Sequence, residues 1–157
     1  YFNAAGYDVD GGLNGLEQEP NNLMPIVLET ITGKRDKVEV FGADYDTRDG
    51  SCIRDYIHVS DLADAHLKAL DYMKNENQDL VINLGTSNGL SVLEIIRIAS
   101  EVSGQEFNYT LGPRRAGDPA VVLAKAELAE ELLGWRPKHS DANTLLETTL
   151  RAYRQNS

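Results

Sequence analysis

One stretch of the sequence, residues 54–66, constrains the fold more than any other, because a strand-like run passes directly into a helix within it. Its first half is rich in residues that favour β-strands. The Ser60-Asp61 pair that follows offers a helix N-cap and a first-turn carboxylate, and an apolar face predicts a helix from Ser60 to about Asn75. The stretch therefore predicts a strand-to-helix junction of the kind found in α/β folds.

Arg54 lies at the entrance to this predicted strand. A guanidinium carries a permanent charge and five donors, so it needs an anionic partner when it is partly buried. Two interpretations are open. Arg54 forms a structural ion pair with Asp55 or Asp61, or it binds an anionic ligand.

The composition is that of one globular domain: 157 residues, 41% hydrophobic and 25% charged. A net charge of −10 argues against a general nucleic-acid or anionic-membrane surface. Two or three converging arginines can still create a local positive pocket on an acidic body. Cys52 is the single cysteine and excludes an internal disulfide, and no long apolar run occurs, so we expect a cytoplasmic protein without membrane contact.

Apolar periodicity and turn residues predict further short strands and helices along the chain. A capping box, Ser91 with Glu94, predicts a helix that ends at Gly104. The remaining predicted elements are a strand end at 1–6, a helix that Asn21 or Asn22 caps and Gly33 ends, strands at 38–41, 80–84 and 107–111, and helices at about 126–133 and 141–154.

Four features stand out as candidate ligand contacts, each with a structural alternative. Asn3, at a strand end, contacts a ligand or is a turn asparagine that bonds its own backbone. Asn22 contacts a polar ligand at a helix N-terminus or only caps that helix. Phe41 fills the core or stacks on a flat base. The loop 112–119 holds paired arginines between two prolines and has no core to fill, so it favours function. His66, by contrast, is expected to be a hydrogen-bonded packing residue and not a ligand contact.

The run Phe-Gly-Ala-Asp-Tyr-Asp-Thr-Arg-Asp-Gly-Ser-Cys-Ile at 41–53, followed by the stretch 54–66, resembles the signature of UDP-glucose 4-epimerases. These enzymes belong to the extended short-chain dehydrogenase/reductase superfamily. Further similar motifs run from end to end of the chain, at 1–6, 21–25, 82–85, 113–118 and 133–135. Related sugar-nucleotide decarboxylases and dehydratases generally lack the insertion at 44–50.

The resemblance implies an α/β, Rossmann-like fold of mixed short strands and helices. It also implies that residues 1–157 are the C-terminal, UDP-sugar-binding portion of such an enzyme. The chain contains no Gly-x-x-Gly-x-x-Gly turn and no Tyr-x-x-x-Lys pair. We therefore expect the N-terminal NAD-binding Rossmann domain to be absent from this chain.

The resemblance also assigns expected roles to particular residues. The pyrophosphate of UDP needs arginines from different segments, and Arg54 and Arg115 fit that need. Asp118 can accept from the ribose hydroxyls. The resemblance further implies a nicotinamide neighbour, four nucleotide or sugar-nucleotide contacts and a hexose-pocket residue: Tyr1; Asn3, Asn22, Leu23 and Phe41; and Val122. No residue is expected to be catalytic or to bind a metal.

The reaction that the resemblance implies is hydride abstraction from C4 of the hexose by NAD, rotation of the 4-keto sugar and return of the hydride. The substrates would be UDP-glucose and UDP-galactose, with UDP-GlcNAc and UDP-GalNAc as further candidates. The complete enzyme is expected to be a cytoplasmic homodimer, and this chain alone to be inactive. Two alternatives are another sugar-nucleotide decarboxylase or dehydratase, and a non-catalytic nucleotide-binding module.

Overall fold

The computed structural model describes residues 3–156, in which short strands alternate with helices. In chain order they are β1 (Asn3–Ala5), α1 (Leu23–Ile31), β2 (Val38–Phe41), β3 (Ile53–Arg54), β4 (Tyr56–His58), α2 (Val59–Glu76), β5 (Leu90–Ser91), α3 (Val92–Ser103), β6 (Tyr109–Gly112), β7 (Val121–Val122), α4 (Glu127–Leu133) and α5 (Ala142–Gln155). None of these helices is long and apolar enough to cross a bilayer.

The strands form three small sheets. β1 pairs with β4 in parallel, and β2 pairs with β6 in parallel. In the third sheet β3 lies in the centre, antiparallel to β5 and parallel to β7. The strands β5 and β7, which are far apart in sequence, therefore flank β3, in which Arg54 lies.

Two apolar clusters hold the elements together. The larger one packs α1, α3 and α5 around β2, and its most deeply buried members include Val27, Val38, Ile95 and Leu145. The smaller one joins β4, α2 and α4 around Trp135, which is 1% exposed. The predicted helices at both ends of the chain therefore pack into one core because their apolar faces meet.

The helix signals that depend on local chemistry are confirmed. Ser91 accepts from the Glu94 N–H, and the Glu94 side chain accepts from the Ser91 N–H, which completes the predicted capping box of α3. Gly104 ends α3 in the left-handed conformation at φ 70°.

The predicted strand-to-helix junction is present, but the cap is not Ser60. His58 is the N-cap of α2, and its Nδ1 accepts from the Ser60 N–H at 3.0 Å. The neutral ring then carries its proton on Nε2, which donates to Thr148 Oγ1 at 3.2 Å. The buried imidazole of His58 therefore caps α2 and links it to α5 through these two hydrogen bonds.

Two other sequence predictions are wrong. Residues 80–84 form no strand, since no described strand pairs with them and Val81 is 93% exposed. The predicted apolar face of α2 is only half covered: Leu62 and Ala65 are buried, whereas Leu70 and Met73 are exposed. Leu84 is nevertheless buried and Ile82 packs beside it against the smaller cluster, so residues 80–84 contribute to the core without forming a strand.

The predicted half-buried strand also differs. Tyr109 and Leu111 of β6 are exposed, because β6 is paired only with β2 and the described chain does not cover its outer surface. Phe107, before β6, packs against the larger core cluster. His66 is exposed rather than packed, but it is hydrogen-bonded as predicted, with its Nδ1 2.7 Å from the Leu62 carbonyl oxygen.

The buried His58 predicts a specific loss of stability in acid. Burial lowers the pKa of His58 and His139 lowers it further, while the carboxylates of Asp61, Asp141 and Asp8 oppose the shift. Because the folded pKa lies below the unfolded value of about 6.5, the stabilisation is complete above about pH 6.5 and is lost as the pH falls below it.

We expect the free energy of unfolding to fall between pH 7 and pH 5.5, and to fall less in His58→Asn, which keeps an acceptor for the Ser60 N–H but does not titrate. Urea denaturation at each pH measures this. His66→Asn, at an exposed position, is the matched control and should behave as the parent does. Equal slopes in the parent and in His58→Asn would contradict the assignment.

Candidate functional site

Arg54 projects from the central strand β3 and pairs with Asp118, which lies in the loop between β6 and β7. The side chains are 15% and 25% exposed, so the pair is half-buried. Arg54 Nη1 also donates to the Ile53 carbonyl oxygen at 2.7 Å. Arg54 therefore does form an ion pair within the protein, but the predicted partners Asp55 and Asp61 are wrong.

Asp55 and Asp61 do not pair with Arg54 because backbone N–H groups already occupy their carboxylates. Asp55 is 1% exposed and accepts from the backbone N–H groups of Thr86, Ser87 and Ala124 at 2.9–3.1 Å. Asp61 accepts from two backbone N–H groups and a hydroxyl in residues 138–140, at 2.6–2.9 Å. These carboxylates hold loops in place and are not available to Arg54. Arg54 pairs instead with Asp118 of the β6–β7 loop.

The β6–β7 loop presents Arg115 and Asp118 together. The Asp118 N–H donates to the Arg115 carbonyl oxygen at 3.2 Å, which closes a tight turn. The Arg115 guanidinium carbon lies 3.7 Å from the centroid of the Phe41 ring. The loop thus joins a cation–π pair at one end to an ion pair at the other.

Phe41 ends β2, in register with Gly112 of β6. Its side chain is half-buried, and Arg115 covers one face of its ring. Phe41 is therefore neither a core residue nor a fully open stacking surface. It belongs to the same group of side chains as Arg54, Arg115 and Asp118.

Val122 lies beside Arg54, because the two residues are register partners in the parallel strands β7 and β3. Register partners on adjacent strands project to the same face of a sheet. Val122 is half-buried, whereas its neighbour Val121 is exposed. We name the group Phe41, Arg54, Arg115, Asp118 and Val122 the arginine cluster.

Asn3 borders this cluster through the backbone. Its Nδ2 donates to the Asp55 carbonyl oxygen at 2.9 Å, immediately after Arg54 in the chain. The alternative that Asn3 bonds its own backbone as a turn residue is wrong. Tyr1, the predicted nicotinamide neighbour, lies outside the described residues.

Asn22 and Leu23 lie at the N-terminus of α1. Asn22 is the N-cap residue, but its side chain makes no cap hydrogen bond, so capping does not explain it. It is exposed and lines a cavity of about 670 Å³ beside β1, together with Ala4 and Ala5. Leu23 packs at the edge of the larger core cluster. Among residues 3–156, no arginine lines this cavity.

The charges of the arginine cluster act on the buried thiol of Cys52. Burial raises the pKa of Cys52, and Arg54 and Arg115 lower it while Asp118 raises it. The net rise leaves the thiol protonated at neutral pH, which makes it a poor nucleophile. Two guanidinium groups against one carboxylate leave the arginine cluster with a net positive charge, so it can attract an anion, and the protonated Cys52 thiol beside it is not an activated nucleophile.

Sequence reasoning did not nominate Arg114, which is Arg115's neighbour. It pairs with Asp44 and lies over the Tyr45 ring, in the insertion at 44–50. The only sequence signal was the doubled arginine, which does not reveal that the two side chains have different partners.

Residues 1–85 match the model of the NAD dependent epimerase/dehydratase family. The chain belongs to this family. The predicted family resemblance and the α/β fold are therefore confirmed.

Known members of the family are similar to this chain over nearly its whole length. The UDP-glucose 4-epimerase of Lacticaseibacillus casei is 43% identical over 148 residues, which are 94% of this chain and 45% of the relative. The chain spans about half the length of the curated relatives it matches.

Two solved structures show the same likeness. A UDP-glucose 4-epimerase from Stenotrophomonas maltophila, with bound NAD and formylated UDP-arabinopyranose, has a TM-score of 0.95 at 39% identity, over 99% of this chain and 46% of that one. The UDP-Glc/GlcNAc 4-epimerase of Campylobacter jejuni has a TM-score of 0.82 at 44% identity, over 99% and 47%.

Proposed function

We propose that this family member is the UDP-sugar-binding portion of an NAD-dependent UDP-glucose 4-epimerase. The observation that carries the proposal is that Arg54 pairs with Asp118 of the turn to which Arg115 belongs, so one turn brings together two arginines from separate segments. A pyrophosphate needs such converging guanidinium groups, which donate in a planar fork. Because the chain as a whole carries a net charge of −10, it repels anions in general. An anion that binds at this local positive site therefore needs further contacts with the protein.

In the proposed complex Arg54 and Arg115 bind the pyrophosphate and Asp118 accepts from the ribose. Before binding, the ion pair with Asp118 holds the Arg54 guanidinium in place. On binding, Arg54 exchanges part of its contact with Asp118 for contacts with phosphate oxygens. Phe41, with Arg115 stacked on one face, offers its remaining surface to the base.

Asn3, Asn22 and Leu23 are proposed as the remaining contacts to the sugar-nucleotide. The Asn22 amide makes no cap hydrogen bond, and the N–H groups at the start of α1 favour a polar or anionic group. Anchoring at the nucleotide suits an epimerase, because the hexose must turn over inside the site while the rest of the substrate stays bound.

The residues of this chain do not provide a dinucleotide cradle. The sequence has no glycine-rich phosphate turn of the Rossmann type and no Tyr-x-x-x-Lys pair. We therefore assign hydride transfer to the part of the relatives that this chain does not cover, and substrate anchoring to this chain. Homodimerisation and a cytoplasmic location stay predictions.

The test is to purify the 157-residue chain alone and, separately, fused to the uncovered part of the Stenotrophomonas maltophila relative. The fusion is expected to interconvert UDP-glucose and UDP-galactose, and the chain alone to bind no NAD and show no turnover. Turnover by the chain alone would contradict the division of labour. A folded, NAD-binding fusion that converts neither sugar would contradict the assignment as an epimerase.

Val122 is the proposed gate for the hexose, in keeping with its place beside Arg54. Valine is smaller than tyrosine and leaves room for a 2-acetamido group, so we expect the fusion to convert UDP-GlcNAc as well as UDP-glucose. Val122→Tyr should lower the ratio of kcat/KM for UDP-GlcNAc to that for UDP-glucose by about tenfold or more, since overpacking costs about 1–3 kcal/mol.

Val121→Tyr is the matched control, because Val121 is exposed and its side chain alternates to the other face of β7. It should leave the ratio unchanged. A parent that rejects UDP-GlcNAc, or a ratio that Val122→Tyr does not move, would remove Val122 as the gate.

A further inference from the structure

Consecutive arginines in the β6–β7 loop have different partners. Arg115 stacks on Phe41, whereas Arg114 turns towards the insertion at 44–50. Arg114 Nε donates to Asp44 Oδ1 at 2.7 Å and its Nη2 donates to the Asp44 carbonyl oxygen. Its guanidinium carbon lies 4.3 Å from the centroid of the Tyr45 ring.

The ion pair alone would matter little, because Asp44 is 77% exposed and exposed pairs contribute weakly. Arg114 differs from an ordinary exposed ion pair because it makes three contacts at the same time. It donates to the Asp44 carboxylate, it donates to the Asp44 backbone carbonyl oxygen, and it packs on the face of the Tyr45 ring. A group held in three directions has one orientation, and so fixes the loop from which it projects.

Tyr45 supplies the rigid side of this contact. It is 6% exposed, and in the described chain its buried hydroxyl has no hydrogen-bond partner, so its ring and not its hydroxyl is what Arg114 uses. Gly42 lies against it at φ +85°, and a Cβ there would come within 2.5 Å of Tyr45 Cε2 and 2.8 Å of Arg114 Cγ. The three residues are therefore packed without spare room.

The insertion is itself anchored at its other end. Arg48 pairs with Glu94 and its Nη2 donates to the Gly89 carbonyl oxygen at 2.7 Å. Asp49 accepts from the Ser51 N–H at 2.9 Å and from the Ser91 hydroxyl, at the start of α3. Arg114 is thus tied to a segment that is rooted in the core helix α3.

We propose that Arg114 is a positioning residue, which clamps the β6–β7 loop to Tyr45 and Asp44 so that Arg115 and Asp118 stand ready for the nucleotide. This inference rests on the proposed function for its consequence, although the clamp itself does not. A loop held before binding loses less freedom on binding, and affinity rises accordingly. The insertion at 44–50 would then support the loop that carries the nucleotide-binding residues.

The experiment uses the 157-residue chain with Arg114→Met, Tyr45→Leu and the double variant. Two quantities are measured: amide hydrogen exchange of residues 112–118 without ligand, and the Kd for UDP by calorimetry. Tyr45→Phe keeps the ring and removes only the unpartnered hydroxyl, so it is the matched control for Tyr45. Arg97→Met removes the exposed pair with Glu101 and is the matched control for Arg114.

We expect exchange of residues 112–118 to become about tenfold faster in either single variant, and the Kd for UDP to rise about three- to tenfold. Tm should be nearly unchanged in Arg114→Met and lower in Tyr45→Leu, which removes a buried ring. The double variant should be no worse than the worse single variant, because both act on one clamp. Both controls should match the parent.

If Arg114→Met weakens UDP binding while Tyr45→Leu does not, Arg114 contacts the ligand directly and the inference is wrong. Unchanged exchange of residues 112–118 in both single variants would also overturn it. If the parent binds no UDP, the proposed function fails, and the exchange measurement still decides whether Arg114 clamps the loop.

Discussion

Replacing Arg54 by alanine is expected to raise the Kd of the chain for UDP about 10- to 100-fold. A lost charge-assisted hydrogen bond costs about 1.5–3 kcal/mol, which corresponds to that range. The change also leaves the half-buried Asp118 carboxylate without its partner, and an unpaired negative charge there would repel the pyrophosphate. Arg115→Ala should act in the same direction.

Arg54→Lys tests whether geometry matters beyond charge. Lysine keeps the positive charge but cannot reproduce the planar fork, so its affinity should lie between those of Arg54→Ala and the parent. Arg97→Ala, in an exposed pair, is the matched control. Near-parental UDP affinity in Arg54→Ala, with a lower Tm, would mean that Arg54 serves only its ion pair with Asp118.

Replacing Asp55 by alanine is expected to lower the free energy of unfolding by about 3 kcal/mol. The carboxylate accepts from the Thr86, Ser87 and Ala124 N–H groups and from the Thr86 hydroxyl, and alanine would leave these donors without an acceptor. Each such donor costs about 1–3 kcal/mol when it stays buried, and water reaches some of them here.

Urea denaturation followed by the fluorescence of Trp135, the single tryptophan, measures this loss. Asp71→Ala is the matched control, because Asp71 is an exposed aspartate on α2. A loss below about 1 kcal/mol in Asp55→Ala would show that the loops held by Asp55 find other partners.

The parts of the fold that sequence predicted well depend on neighbours in the chain. The capping box of α3 lies within four residues, and the glycine that ends this helix needs only its own backbone conformation. The helices α1, α2 and α5 follow from periodic apolar residues. Such signals are complete within one segment, so they can be read without the rest of the chain.

The predictions that failed concern partners far away in the sequence. Arg54 finds Asp118, 64 residues on, because Asp55 and Asp61 are taken by loop amides that no local pattern reveals. Leu70 and Met73 carry an apolar period, but periodicity does not say whether a layer covers them.

The candidate site follows the same division. Residue type and the family resemblance pointed to Phe41, Arg54, Arg115 and Asp118, and the structure brings these four together. Sequence did not predict that Arg115 covers the Phe41 ring, or that Arg114 binds Asp44 and Tyr45. Cation–π contacts between loops depend on how the loops fold over one another, so they leave no spacing rule to read.

The most direct test of the account is a calorimetric titration of the 157-residue chain with UDP and, in parallel, with uridine. If Arg54 and Arg115 bind the pyrophosphate, UDP should bind about tenfold or more tightly than uridine, and the difference should shrink as salt is raised. Absence of UDP binding by the folded chain, or equal affinity for UDP and uridine, would contradict the account.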